Sequence, residues 1–418
     1  MYDLSLTPEQ IEFRDTIRDF VAREIKPVAT NATRLQRLRP PFPADLLALT
    51  EPLGLRMLML PTDTDDETEG AGADTLTACI VLEELAAGDV DVAMAVSHTA
   101  LLAQWLFGEA MNAEQRARFL PGYIQSASDE KACHLAHVGG ALDGPGWQYH
   151  RQRSAVPHRV TATVQDGGWV LQGDAGFAAN ADIAGLLVVK AVTDNGVVNL
   201  LVPRATPGLL VRDVAYDVTS GSDTVVKWHH GAGAYVSFNQ CRVLRSNQLQ
   251  SVATLQPYLR RGIALRAAVN LGLGRAAFEA AIDYAKLRIQ GGRPIIQHQA
   301  IGTKLADIAV HLDAARNMIW KAAWSLDHPE VAAHSSYAGI PLETAARVFT
   351  AETVREATEN ATECFGAMGV MLDMPLHKYV HDAVIFLHSG VSDTVEKFEI
   401  AEAVAGFALV VPSVPIAA

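Results

Sequence analysis

The sequence predicts a mostly helical α+β chain built in three successive parts. A helical unit covers residues 1–129, a β unit 130–246 and a four-helix bundle 247–407, with an apolar tail at 408–418. Three observations carry this reading. Apolar residues recur at helical spacing through the first unit. From Val160 the period drops to two, with Asp-Gly-Gly and Asp-Asn-Gly turn signals between the runs. After Asn247 four long helical patterns follow one another across short breaks.

Thr7-Pro8-Glu9-Gln10 opens the first helix, with Thr7 as N-cap, Pro8 at the first helical position and Gln10 closing a capping box. Ile11, Ile17, Phe20, Val21 and Ile25 share one face, and Pro27 is expected to end it. A basic, proline-containing link (34–43) leads to a short helix at 44–49. Gly54 to Pro61 reads as a buried turn, and 63–72 as an acidic solvated loop. Further helices are expected at 74–87, with Glu83 and Glu84 near the end, at 93–106, carrying His98, and from Asn112 to a stop at Pro121. Strands are expected at 160–165 and 169–171 across Asp166-Gly167-Gly168, at 186–189 and 197–202 across Asp194-Asn195-Gly196, and at 209–211 and 234–243. The bundle helices are expected at 251–288, 299–324, 341–364 and 375–407.

At 418 residues and 49% hydrophobic side chains, the chain has material for more than one core. No apolar run reads as long and charge-free enough to span a bilayer, and Met1-Tyr2-Asp3-Leu4-Ser5 lacks the basic start and apolar stretch of a signal peptide. Cys79, Cys133, Cys241 and Cys364 are scattered and form no CxxC, which points to a reducing cytoplasm and away from zinc. A net charge of −13 weighs against nucleic acid and anionic membrane as partners. An anionic ligand therefore needs a local basic pocket.

The stretch 284–304 offers one. Two helical patterns meet there across Gly291-Gly292 and Arg293-Pro294, with Arg288, Arg293 and Lys304 alongside. The glycines are expected to end the first helix in a conformation that glycine adopts cheaply, and Pro294 delays the next helix until near His298. Exposed backbone N–H groups beside basic side chains suit a phosphate. A solvated inter-helix turn is the alternative.

Several stretches resemble the acyl-CoA dehydrogenase family. Gly54-Leu55-Arg56-Met57 to Pro61, Asp74-Thr75-Leu76-Thr77, Glu83-Glu84-Leu85, and Gly108 with Gln115 to Pro121 resemble its N-terminal domain. The 284–304 corner is similar to "Y-x-x-x-R-x-x-F-G-x-P-I-x-x-x-Q". Phe365-Gly366-Ala367-Met368-Gly369-Val370 with Pro375-Leu376-His377-Lys378-Tyr379-Val380-His381-Asp382-Ala383 resembles "F-G-x-x-G … P-L-x-K-x-x-R-D-A". The resemblance spans nearly the whole chain and implies the family's fold: N-terminal helical domain, middle β domain, C-terminal four-helix bundle. It also implies FAD and an acyl thioester of CoA or a carrier protein. In the family a glutamate removes the α-proton while the flavin takes the β-hydrogen as hydride.

Aligned on this pattern, the chain departs from it at the base. With Gly390 on the family glycine of "Y-E-G-T", Ser389 stands where the glutamate belongs. The other position used by relatives, on the first bundle helix, falls at Gly262. A serine is no strong base without a partner. The resemblance places Leu135, Asp143, Phe177, Arg288, Gln290, Gln299, Glu363, Gly366 and Gly390 at the flavin. Other contacts are thinned: Ala136 and Leu142 replace hydroxyls, Ala179 replaces the threonine of "W-I-T-N", and Gly291 replaces a phenylalanine. Glu363 replaces a glutamine that meets the pyrophosphate, so its charge opposes a phosphate unless neutralised or turned away.

His388 and Ser389 are the catalytic candidates, with His98, on an apolar helix, a weaker one expected to line the same cavity. Relatives with monooxygenase activity place a histidine near reduced flavin, so an FADH2-dependent monooxygenase with a separate reductase competes with the dehydrogenase-like oxidoreductase acting on CH–CH. A non-catalytic or flavin-poor subunit of a hetero-oligomer is a third reading, and a flavin-free lyase or hydratase a fourth. His134 with His137, and His229-His230, lack a completing carboxylate or cysteine, so no metal is expected. Residues 144–157 form an aromatic and basic insertion, and Arg260-Arg261 are candidates to meet a phosphopantetheine arm. The family's bundle implies a homodimer or homotetramer.

Overall fold

The computed structural model describes residues 5–36, 42–62, 72–125, 134–139, 160–213, 229–250, 255–332, 339–388 and 393–406. Helix α1 (Pro8–Phe20) begins with both halves of the expected capping box in place. It does not end at Pro27. A wide π-turn (Val21–Ile25), in which Lys26 N–H bonds the Val21 carbonyl, passes the chain into α2 (Lys26–Ala29). Pro27 thus falls in the first turn of a new α segment, where a missing N–H matters least. The buried face runs through Gln10, Ile17, Val21 and Ile25. Gln10 donates to the Thr77 hydroxyl, which turns Ile11 outward.

After α3 (Ala32–Leu35) and α4 (Ala44–Ala48), two short 3-10 turns meet at Gly54, whose φ of +65° lets the chain double back. Leu55, Leu58, Met59 and Leu60 are buried there. Helix α5 (Thr75–Ala86) is capped by Asp74, and α6 (Val90–Trp105) by Asp89, whose carboxylate takes the Asp91 and Val92 N–H groups. That cap starts α6 three residues before the expected 93. With its π-turn (Leu106–Ala110) the helix reaches a mean hydropathy of 1.3, apolar and long enough by composition to cross a membrane, contrary to the expectation from sequence. Yet 89% of it is buried inside the protein, so it is a core helix. Helix α7 (Ala113–Gln125) continues through Pro121. Arg56 accounts for this: its guanidinium donates to the Tyr123 and Ile124 carbonyls while the Tyr123 hydroxyl donates back to the Arg56 carbonyl, anchoring the last turn.

The β unit is one seven-stranded sheet of β1 (His134–Val138), β2 (Val160–Gln165), β3 (Gly168–Ala179), β4 (Ala184–Thr193), β5 (Gly196–Pro203), β6 (Leu209–Asp213) and β7 (Gly233–Val243). The order is β1-β4-β2-β3-β7-β6, with β5 on β4. The β2–β3 hairpin turns on Asp166 and Gly167, both at positive φ. In the β4–β5 hairpin Gly196 already pairs with Thr193, so the turn is Asp194-Asn195. Strand β1, parallel to β4, was not expected; five residues containing two histidines give little periodic signal.

The bundle comprises α8 (Leu255–Leu287), a two-residue hairpin β8 (Ile289–Gln290) and β9 (Arg293–Pro294), α9 (Gln299–Asp327), α10 (Pro329–Ala332), α11 (Leu342–Phe365), α12 (Leu376–His388) and α13 (Asp393–Ala405). Of the last expected helix, α12 and α13 are described, and Ser389-Gly390-Val391-Ser392 between them lie outside the described residues. One core joins α1, α5, α6, α8, α9 and α11. A second lies on the sheet, and a third joins the end of α6 to β1, β4 and β5.

Candidate active site

Gly291 and Gly292 do not end the first bundle helix as expected, because α8 already stops at Leu287. Their φ values of +60° and +80° make the tight turn between β8 and β9. His298, the N-cap of α9, holds the hairpin: Nε2–H donates to the Gln290 carbonyl at 3.0 Å, and Nδ1 faces the Arg293 guanidinium at 3.4 Å. Arg288, Gln290, Arg293 and Gln299 are exposed, with Arg288 Nη2 3.4 Å from Gln290 Oε1. Tyr284 stacks on Phe365 at 4.1 Å, so the hairpin and the Gly366 turn share one end of the bundle. Gly366 caps α11 at φ +56°. Glu363 is 63% exposed and pairs with Lys304, whose ammonium also reaches Asn360 Oδ1 at 3.3 Å. Its charge is therefore balanced within the chain. The exposed guanidinium groups and glycine backbone at this end fit a diphosphate.

At the sheet, the Phe177 ring lies 4.6 Å from the ring of His229 and edge-on to Tyr235. Gly233 makes room for it. Asn180, at φ +60°, donates Nδ2–H to the Ala95 carbonyl at 2.8 Å and to Thr99 Oγ1 at 3.0 Å. The Thr99 hydroxyl in turn donates to His134 Nδ1 at 2.9 Å, and His134 Nε2–H faces Glu51 at 3.4 Å. Burial works against the Glu51 charge, but His134 and then Arg56 hold its carboxyl below the usual range. Leu135, which the resemblance places at the flavin, packs its side chain into the core with Leu186, Val188 and Leu201, which leaves its backbone groups for a cofactor contact.

Helices α6 and α8 cross antiparallel. Trp105 lies 5.5 Å from Tyr258, a Cβ on Gly262 would meet Leu101 at 3.1 Å, and Arg266 acts on His98 one turn further. The spacing of Tyr258, Gly262 and Arg266 (i, i+4, i+8) was the available signal for this face. His137 joins from β1, 6.3 Å from Trp105 and 6.4 Å from Tyr258. Burial, with Arg266 adding, lowers the His98 pKa to about 4; burial, with Lys190 adding, does the same for His137. Both imidazoles are neutral at pH 7. Burial pushes the Tyr258 phenol well up.

His388 is the exposed last residue of α12, and no contact joins it to His98 among the described residues. Asp143, Ser389, Gly390 and the 144–157 insertion lie outside the described residues. Arg260 pairs with Glu343 at 2.5 Å and Arg261 with Glu109 at 3.8 Å, so both candidate pantetheine contacts are engaged within the chain. His230 donates Nε2–H to the Asp382 carbonyl at 2.9 Å and stacks on Phe386. Among the described residues no group of three histidine, cysteine or acidic side chains is placed to hold a metal.

The comparisons with known proteins agree with this architecture. Residues 7–127 match the N-terminal domain of acyl-CoA dehydrogenase, and 256–404 its C-terminal domain. An acyl-CoA dehydrogenase of Bacillus subtilis is 29% identical over 406 residues, covering 91% of this chain and 94% of that protein. Among solved structures, butyryl-CoA dehydrogenase from Megasphaera elsdenii superposes with a TM-score of 0.77 at 22% identity, over 97% of this chain and all of the other. A glutaryl-CoA dehydrogenase from Mycobacterium smegmatis in complex with FADH2 gives 0.76 at 19% identity, over 96% and 95%. The chain belongs to the acyl-CoA dehydrogenase family.

Proposed function

We propose that this chain is an FAD-dependent oxidoreductase acting on an acyl thioester of CoA or a carrier protein, with proton chemistry altered from that of its family. The observation that carries the alteration is the residue pair at the two base positions: Ser389 on one side and Gly262 on the other, neither a carboxylate. Leu101 packs against Gly262, so a longer side chain there has to displace it. Bound FAD would supply the hydride acceptor. Arg288, Gln290, Gln299 and the Gly366 turn would meet its phosphates, and Phe177 its ring. Lys304 removes the objection raised by Glu363. The apolar side chains left exposed at this end of the bundle, Leu287, Ile289, Val370, Met371 and Leu372, favour a homodimer or homotetramer. We place the protein in the cytoplasm, with a partner protein accepting the electrons.

The visible spectrum of the purified protein, followed by anaerobic addition of an acyl-CoA, tests this. The expected result is a yellow protein whose flavin band bleaches slowly, and at least about a thousandfold faster in Ser389→Glu. Rapid bleaching of the wild type would mean a base elsewhere. A colourless protein that takes up no FAD would leave the reading of a non-catalytic subunit.

His98 supports a second reading, an FADH2-dependent monooxygenase fed by a reductase. Its imidazole is neutral and its Nδ1 is buried with no hydrogen-bond partner, a state suited to proton exchange beside reduced flavin. His388 would serve the same site. Oxygen consumption that depends on added reductase and is lost in both His98→Ala and His388→Ala would favour this reading over the first.

A further inference from the structure

Along the α6–α8 seam three polar side chains lack a protein hydrogen-bond partner among the described residues: His98 at its buried Nδ1, the His137 ring, and the Tyr258 hydroxyl. A buried polar atom is nearly always bonded, so the unpartnered His98 Nδ1 needs an explanation. His137 and Tyr258 form an aromatic wall with Trp105, the three rings lying between 5.5 and 6.4 Å apart, and His98 lies about two turns from Trp105 along α6. Gly262 lies midway along the seam, against Leu101. The charges acting on the three groups are cationic: Arg266 on His98 and Tyr258, and Lys190 on His137.

Resting on the reading of an acyl-thioester oxidoreductase with Gly262 at a base position, we propose that this seam receives the acyl end of the substrate and selects an acyl group that carries a carboxylate. A plain alkyl end would strip water from the His137 ring and the Tyr258 hydroxyl and return nothing, at about tenfold in affinity for each one left dehydrated, and would leave His98 Nδ1 unbonded. A carboxylate accepts from the Tyr258 O–H and from an imidazole N–H, and gains from the two cations. A hydroxyl end would satisfy one group and gain nothing from the charges. Sites built to bond a polar substituent reject the analogue that lacks it far more strongly than apolar pockets reject a methylene. The flat wall also favours an acyl chain held extended against the rings.

Titration of the FAD-loaded protein with adipyl-CoA and hexanoyl-CoA, equal in length and different in the terminal carboxylate, decides the matter. Binding is read by perturbation of the flavin spectrum and by calorimetry. Adipyl-CoA is expected to bind at least about 30-fold more tightly. Tyr258→Phe and His137→Leu are each expected to reduce that ratio by at least about threefold. Equal affinities, or a preference for hexanoyl-CoA, would overturn the proposal and leave the oxidoreductase reading standing. Binding of neither thioester would overturn both. If the variants do not fold, the wild-type ratio alone gives the answer.

Discussion

Gly233 on β7 faces Phe177 on β3 so closely that a Cβ there would stand 2.3 Å from Cζ of the ring. The strand position is glycine because the aromatic side chain occupies the space. Gly233→Ala is therefore expected to push the Phe177 ring out of its place beside His229, at about 1–3 kcal/mol of stability. The ratio of flavin absorbance to protein absorbance should fall with it. Retention of full flavin content in a protein that melts at the wild-type temperature would show that the ring is not tied to cofactor binding.

Glu363→Gln separates two roles of one ion pair. The pair with Lys304 is largely exposed, so its loss is expected to change stability by about 1 kcal/mol or less. Freed from Glu363, the Lys304 ammonium becomes available to a phosphate, and FAD affinity is expected to rise by roughly two- to tenfold at low salt, with the gain shrinking as ionic strength increases. Weaker FAD binding in this variant would remove the corner from the cofactor site.

Stability should fall with acidification over a defined range. His98 and His137 have pKa values lowered from 6.5 to about 4 by burial, so between those values the unfolded chain binds protons that the folded chain does not. Stability from these groups is complete above pH 6.5 and is lost progressively as pH falls towards 4, by an amount on the order of a few kcal/mol. Glu51, held below 4.5, adds to the loss at the lower end of the range. Urea unfolding at pH 7 and pH 5 reads the effect. The double variant His98→Gln, His137→Gln should show a much smaller difference between the two pH values than the wild type.

Glu84 is nearly buried and accepts from Arg275 at 2.5 Å and Arg18 at 2.7 Å, with Glu83 joining Arg275 and Arg316. The cluster ties α1, α5, α8 and α9 together. Burial opposes the charge on Glu84, but Arg275 and then Arg18 hold its pKa low. Glu84→Gln is expected to lose about 3–5 kcal/mol in denaturant unfolding, because Arg275 would keep its charge in a site that no longer balances it. A loss below 1 kcal/mol would mean that Glu83 suffices.

Local signals in the sequence were dependable where a residue acts on its near neighbours. The Thr7 capping box, the Asp166-Gly167 turn and the start of α5 beside Asp74 are all decided within four residues of chain. They failed where a distant partner decides. Gln10 is buried because Thr77 bonds it, and α7 survives Pro121 because Arg56 grips its last turn. At the candidate site, motif alignment pointed to Arg288, Glu363 and the absent base. It did not reveal Lys304 beside Glu363, 59 residues away on another helix, nor the meeting of Trp105, His137 and Tyr258 from three separate elements.

The left-handed Asn180, bonded to Ala95 and Thr99, has a kinetic consequence. With Gly231 N–H on Asp91 and the Gln115 amide on the Ser246 and Gln248 carbonyls, it rivets the sheet to the first helical unit at well-separated points. Prising those units apart breaks all of these bonds at once, at about 1 kcal/mol net for each. Ligand entry and product release by hinging the sheet away from α6 are therefore disfavoured. In hydrogen exchange, the amides of β1 and α6 should consequently share one slow, cooperative phase, and saturating ligand should act mainly on segments outside it.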